Sequence, residues 1–356
     1  MRLGHRLLPA VLSVALLALV GAALAVPASA EPASATAERA PRVIAREVVF
    51  EVANTSEALL RCPSDQEMYR VRGRLVGPER DVLGRGGPLR VNVLVHDAGT
   101  GGWFWNLRRH PRYDYATQLA RQGETSLVLD RLGYDGSPLP NGRATCLDAQ
   151  AHMLHQVVQH LRSGRYEFTQ GRVTSPHASH VVVQAHGVGG AIAQLEAARF
   201  DDTDGLVLMS WSGTNLSDLA LRQAEQQRAA CLQGSGYAPY GATAAQYRAL
   251  LFTSAPAAVQ QTAVRRRNPT PCGDVTSLAS VVLSSALTAG RVEAPVLLLS
   301  GSRDARVRNQ AAQAAARFTS SEKVTTRVLP GAGSALPLER SAPRTRRLVL
   351  EWLRAL

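Results

Sequence analysis

The chain has 356 residues, with 45% hydrophobic, 19% charged and a formal net charge of +12, enough for one large domain or two ordinary ones. All but one of its 40 basic residues are arginines, Lys323 being the exception, an imbalance that reads as codon usage in a GC-rich genome. The short clusters Arg265–Arg267 and Arg344–Arg347 are not interleaved with aromatics, which make up only 5% of the chain. They read as solvated surface and argue against a nucleic-acid partner.

In chain order, Arg2 and Arg6 precede an apolar run from Leu7 to Val26, and Ala28-Ser29-Ala30 supplies small residues for cleavage. This predicts a secretory signal peptide over residues 1–30. The run is also long enough for a retained anchor, but the A-x-A site favours cleavage. Later segments read as too polar to cross a membrane, so no stable anchor is expected and the mature protein is expected to be extracellular. Residues 31–45, small and polar with two prolines, read as a flexible lead. "VVFEV" and "YRVRGRLV" alternate as an antiparallel hairpin at a sheet edge.

Apolar runs rich in β-branched residues follow at 91–97, 125–130, 180–185, 205–211, 294–301 and 324–330. Helical patterns lie at about 114–122, 147–162, 189–200, 307–318 and 341–355. Near-continuous apolar strands alternating with helices imply a mostly parallel sheet covered on both faces, an α/β core over 46–212 and 291–356. Residues 213–290, Ala/Gln-rich with Pro and Gly punctuation, read as a helical cap inserted over the carboxyl ends of the strands. Ligands bind at those ends in open parallel sheets, so a sheltered, mostly apolar cavity is expected there. It would suit a small apolar or ester-like ligand, and nothing in the sequence specifies a protein partner, cofactor or metal.

An exported chain meets an oxidising compartment, where four cysteines read as two disulfides. Three pairings are open. Cys62 with Cys146 and Cys231 with Cys272 is favoured, because the second pair then closes a loop inside one insertion. A bond of that span contributes about 3–4 kcal/mol in the chain-entropy view.

Five stretches in a fixed order carry a resemblance: "VLVHDAGTGGWFWN" (93–106), "LVLDRLGYDGSP" (127–138), "AHGVGG" (185–190), "LLLSGSRDARV" (297–307) and "LPGAGSALPLE" (329–339). Together they resemble the α/β-hydrolase superfamily from about residue 47 to the end. The resemblance implies an oxyanion-hole loop after His96, with Asp97 where glycine is usual and Ala98 next. It implies a nucleophile elbow at 185–190, with Val188 following the nucleophile position. It places the catalytic acid at Asp304 and the catalytic histidine at position 334.

Residue by residue, the triad is incomplete. The nucleophile position is Gly187 and the histidine position is Ser334; only Asp304 has the expected type. No histidine follows residue 186, so no shift of register supplies a base to the C-terminal loop. Gly187 also gives up the strain that an elbow imposes on a side-chain-bearing residue. A carboxylate at Asp97, beside the oxyanion hole, disfavours developing negative charge.

The leading expectation is therefore a secreted fold relative without triad catalysis, a pseudoenzyme that binds a ligand or partner. Two alternatives remain: a lyase or water-activating hydrolase built on His96 or His186, or a substituted form of an ordinary secreted esterase or lipase-like hydrolase. His96 and His186 with Asp97 offer a base or metal ligands, although such positions are usually structural in the family. "HMLHQVVQH" (152–160) reads as a plain amphipathic helix, Ser334 as a nucleophile lacks a base, and Asp130 reads as fixing its own turn.

Overall fold

The computed structural model describes residues 41–58, 62–171, 174–213, 215–234, 236–308 and 311–356. The expected signal peptide and most of the lead lie outside the described residues. The strands are β1 (Val43–Ala53), β2 (Met68–Pro78), β3 (Arg90–Val95), β4 (Thr125–Leu129), β5 (Glu167–Phe168), β6 (His180–His186), β7 (Gly205–Met209), β8 (Tyr237–Pro239), β9 (Pro269–Pro271), β10 (Val296–Gly301) and β11 (Val324–Leu329). The helices are α1 (Glu79–Val82), α2 (Tyr115–Ala120), α3 (Leu147–Ser163), α4 (Val188–Phe200), α5 (Asp218–Gln233), α6 (Ala244–Leu251), α7 (Ala257–Arg265), α8 (Cys272–Thr288), α9 (Ala311–Ala315) and α10 (Ala342–Leu353). β1 starts at Val43, so residues 43–45, expected in the lead, are paired in the sheet.

Nine strands form one sheet in the order β11-β10-β7-β6-β3-β4-β2-β1-β5. β3, β4, β6, β7, β10 and β11 run parallel, while β2, β1 and β5 are antiparallel additions at one edge. Successive side chains of a strand face opposite ways, which divides the core in two. Val91, Val93, Val181, Val183, Leu206 and Leu298 pack with α3, α4 and α8. Leu94, Val182, Val207, Met209, Leu297 and Leu299 pack with α2 and α10 on the other face. This is the α/β-hydrolase fold, with helices on both faces.

Between β7 and β10 lie α5 to α8 and the small antiparallel pair β8–β9. Its helices have distinct jobs. α5 and Tyr240 cover the carboxyl ends of the strands, whereas Val281 and Ala289 join the core under α3 and α4. One sequence expectation needs correcting: the helical span Cys272–Arg291 is long and apolar enough to cross a membrane by length and composition, with a mean hydropathy of 1.3. One face packs against α3, α4 and α5, burying Val281, while Leu283 and Leu287 are exposed. The disulfides are Cys62–Cys146 and Cys231–Cys272. The first ties the β1–β2 connection to the start of α3; the second ties α5 to α8 within the insertion.

Candidate functional site

The site grows from three chain ends at the carboxyl edge of the sheet. β6 ends at His186, Gly187 turns the chain, and α4 begins at Val188. Gly187 has φ +55° and ψ −125°, a left-handed backbone that favours glycine, so the stretch makes the sharp strand-to-helix elbow its sequence implied. After β3, Asp97 and Ala98 lead into a buried loop that carries Phe104 and Trp105. After β10 and β11, the loops bearing Arg306 and Ser334 close the site.

The Asp97 carboxylate fills the space beside Gly187. It is fully buried, and its Oδ1 accepts from the Ala98 N–H at 2.8 Å and the Val188 N–H at 2.7 Å. These are the two donors that the resemblance assigns to the oxyanion hole. A Cβ placed on Gly187 would meet Asp97 Cγ and Oδ2 at 2.3 Å. A side chain at 187 and this carboxylate thus exclude one another.

Arg306 holds the carboxylate in place. Its guanidinium, 6% exposed, donates from Nη1 to Asp97 Oδ2 and to the Tyr240 hydroxyl at 2.8 Å. From the other side, Nε donates to Ser334 Oγ at 3.0 Å, and Nη2 donates to the same oxygen. Burial alone would raise the Asp97 carboxyl, but the Arg306 charge, helped by the Val188 N–H, brings it below its ordinary value. Arg306 is raised in turn: burial opposes its charge, and Asp97 and Tyr240 outweigh that. The space between the elbow and the C-terminal loop is filled by a closed ion pair.

Most of the remaining groups have hydrogen-bond partners, but His186 Nδ1 and Asp304 Oδ2 have none. His186 Nε2 lies 3.1 Å from the Ser334 carbonyl and 3.3 Å from Ser334 Oγ, and its Nε2–H tautomer donates to the carbonyl. The Ser334 carbonyl accepts from Ser210 Oγ at 2.8 Å. Ser210 has φ +53°, an uncommon conformation for a residue with a side chain and a mark of local strain. His96 is used at both nitrogens, Nδ1 donating to the Asp97 carbonyl at 2.9 Å and Nε2 accepting the Arg131 N–H at 3.2 Å. Asp304 Oδ1 accepts the N–H of Arg306 two residues on, at 2.9 Å, a turn that aims the arginine inward. Burial raises the Asp304 carboxyl, against the Arg306 charge. Asp130 accepts the N–H of Gly136 at 3.1 Å within its own turn and that of Gly102 at 3.0 Å, which ties this turn to the loop after β3.

His186 stacks on Phe104, with ring centroids 4.5 Å apart, and lies 3.8 Å from Asp97 through Nδ1. Burial holds its pKa down to about 4, with the Asp97 charge opposing and the Arg306 charge reinforcing. A histidine held neutral in the fold but not in the unfolded chain makes stability depend on pH. That stability is complete above the ordinary pKa of 6.5 and is lost as pH falls towards about 4. Urea unfolding should therefore show wild type losing about 3 kcal/mol more than His186→Gln across that window. Equal losses would mean the imidazole is not kept neutral.

Beside the ion pair lies a cavity of about 70 Å³, lined by Gly187, Trp211, Gln223, Gln227, Asp274 and Arg306 among others. That is room for about five water-sized groups. Asp274 is buried; its Oδ2 accepts from Arg131 and from the Tyr134 hydroxyl, both at 3.0 Å, while Oδ1 has no partner.

The structure thus brings Asp97, Ala98, His186, Gly187, Val188 and Ser334 together, with His96 beneath them. Sequence reasoning missed Arg306, Tyr240 and Ser210. Arg306 stands in the quoted "SRDARV", two residues after the acid position, but among 39 arginines nothing in its type distinguishes it.

The profile of the alpha/beta hydrolase family matches residues 93–346, and the chain belongs to that family. No curated protein sequence matches it. Among solved structures, it is similar to a thermophilic esterase from Thermogutta terrifontis at 17% identity and TM-score 0.59, over 86% of this chain and 98% of that one. It is also similar to a monoacylglycerol lipase from Paleococcus ferrophilus, at 17% identity and TM-score 0.55, over 74% and 93% of the two chains. An enol-lactonase from Burkholderia xenovorans aligns at 16% identity and TM-score 0.56, over 80% and 97%.

Proposed function

We propose that this chain is an exported, non-catalytic α/β-hydrolase-fold protein that binds a small, largely apolar ligand in the cavity beneath the cap. One observation carries the reading: the Asp97 carboxylate accepts both N–H donors at the elbow and fills the volume of a nucleophile side chain. Arg306, itself held by Tyr240 and Ser334, then neutralises and clamps it. Losing the nucleophile and base of a triad costs about a millionfold in kcat in a well-studied protease, and here the oxyanion donors are occupied as well.

The same network argues against a recently substituted esterase. Two isolated replacements would leave an empty elbow, whereas Asp97 and Arg306 fill this one. It equally disfavours His96 or His186 as a base, since the first has both nitrogens engaged and the second is buried beside a guanidinium. Export is supported by the N-terminal apolar run and by two disulfides, which suit an oxidising compartment. The cavity's apolar lining and the unpartnered Asp274 Oδ1 fit a small molecule with an apolar body and one hydrogen-bond donor. The names of the similar structures make ester-like molecules the first class to screen.

The test uses the protein as it stands. Short-chain activated esters and an active-serine phosphonate should give no turnover above buffer and no adduct by intact-mass spectrometry. Small ligands that raise the unfolding temperature should lose that effect in Ala224→Trp, which fills the cavity. A covalent acyl or phosphonyl adduct would overturn the reading.

A further inference from the structure

Outside this site, three chain segments bring a second set of chemically capable groups together. His155 lies on α3, Glu196 on α4 and Asp202 just beyond the end of α4. One ligand atom from each lies within 4.8 Å of the others. Glu196 is fully buried, yet neither of its carboxylate oxygens has a hydrogen-bond partner, and neither does Asp202 Oδ1.

Two facing carboxylates in a half-dry site repel unless a cation or a proton lies between them. Asp202 is held in this arrangement through its other oxygen, Oδ2, which contacts His155 Nδ1 at 2.8 Å and accepts from Gln159 Nε2 at 2.6 Å. The imidazole is oriented by stacking on Phe200, with ring centroids 3.8 Å apart and planes 13° off parallel. The nearby Arg162 makes no hydrogen bond to the carboxylate oxygens of the cluster, although its charge acts on Glu196: it donates to the Asp202 carbonyl at 2.6 Å and to Asp204 at 2.8 Å. The His155 and Asp202 side chains are 23% and 12% exposed, which leaves an entry path from solvent.

We propose that His155, Glu196 and Asp202 form a binding site for one divalent metal ion of the zinc type. One imidazole with two carboxylates is a mixed nitrogen–oxygen set, better suited to Zn²⁺ than to Ca²⁺ or Mg²⁺, which take oxygen ligands. Three protein ligands leave a fourth tetrahedral position for water. Bound there, the ion ties the end of α4 to α3. The spacing of the histidines along α3 gives no sign of this, because both carboxylates come from elsewhere in the chain.

The experiment is equilibrium dialysis of tag-free protein against micromolar Zn²⁺, with bound metal counted by elemental mass spectrometry and unfolding temperature measured in parallel. Wild type should hold one ion per chain and melt about 3 °C or more higher at a large excess over Kd. Glu196→Gln, which keeps the shape of the buried side chain, should bind at least tenfold more weakly, and Asp202→Asn likewise. If Glu196→Gln fails to fold, His155→Gln on the more exposed side gives the same comparison. Absence of bound Zn²⁺ in wild type, or retention of the ion by both variants, overturns the proposal and leaves a carboxyl pair sharing a proton.

Discussion

Arg306→Met should lower the unfolding free energy at pH 7 by about 3–5 kcal/mol, the usual cost of stranding a buried charge without its partner. The stranded group is Asp97, fully buried and held beneath the guanidinium. Removing both charges should cost much less. In Asp97→Asn combined with Arg306→Met, the amide oxygen still accepts the Ala98 and Val188 N–H groups, and no ion remains unpaired. We expect the double variant to recover at least half of the loss, giving a coupling of about 1.5 kcal/mol or more, within the range for residues in direct contact. Urea denaturation of the four proteins closes the cycle. If Arg306→Met alone costs under about 1 kcal/mol, the ion pair does not hold the site together.

The second large effect concerns chemistry. Gly187→Ser with Ser334→His restores the types that a triad needs, yet it should remain inactive on short-chain activated esters. The new hydroxyl would meet Asp97, and overpacking of this kind costs about 1–3 kcal/mol. Adding Asp97→Gly and Arg306→Ala frees both N–H donors and the space beside them. We expect kcat/KM to rise by at least about 10²-fold over the double variant, the scale of one oxyanion donor, together with labelling by a serine-directed phosphonate. Comparable activity in the double variant would show that Asp97 moves aside.

The fold was legible from the sequence because its signals are local and repeated. Each of the six parallel strands is an apolar run, and the glycine elbow with four further stretches fixes their order. The lack of a histidine at the position the resemblance assigns to it was legible for a different reason: residue type alone excludes an imidazole after position 186. What escaped was the replacement. Asp97 could be suspected from its place beside the oxyanion loop, but its partner lies 209 positions away in the chain, and no periodicity links the two. The apolarity of α8 was underestimated, because its Ser, Thr and Ala residues break up a run that still averages apolar over 18 residues. The carboxylates at Glu196 and Asp202 were invisible beside the α3 histidines for the same reason as Arg306: long-range placement has no local signature.

The mutual exclusion of a 187 side chain and the Asp97 carboxylate also limits what mutation can reach from here. No single substitution can install a serine at this elbow, since an incoming hydroxyl finds its seat taken and a departing carboxylate abandons an arginine. Random single-site libraries should therefore never yield an esterase from this gene, however large the screen.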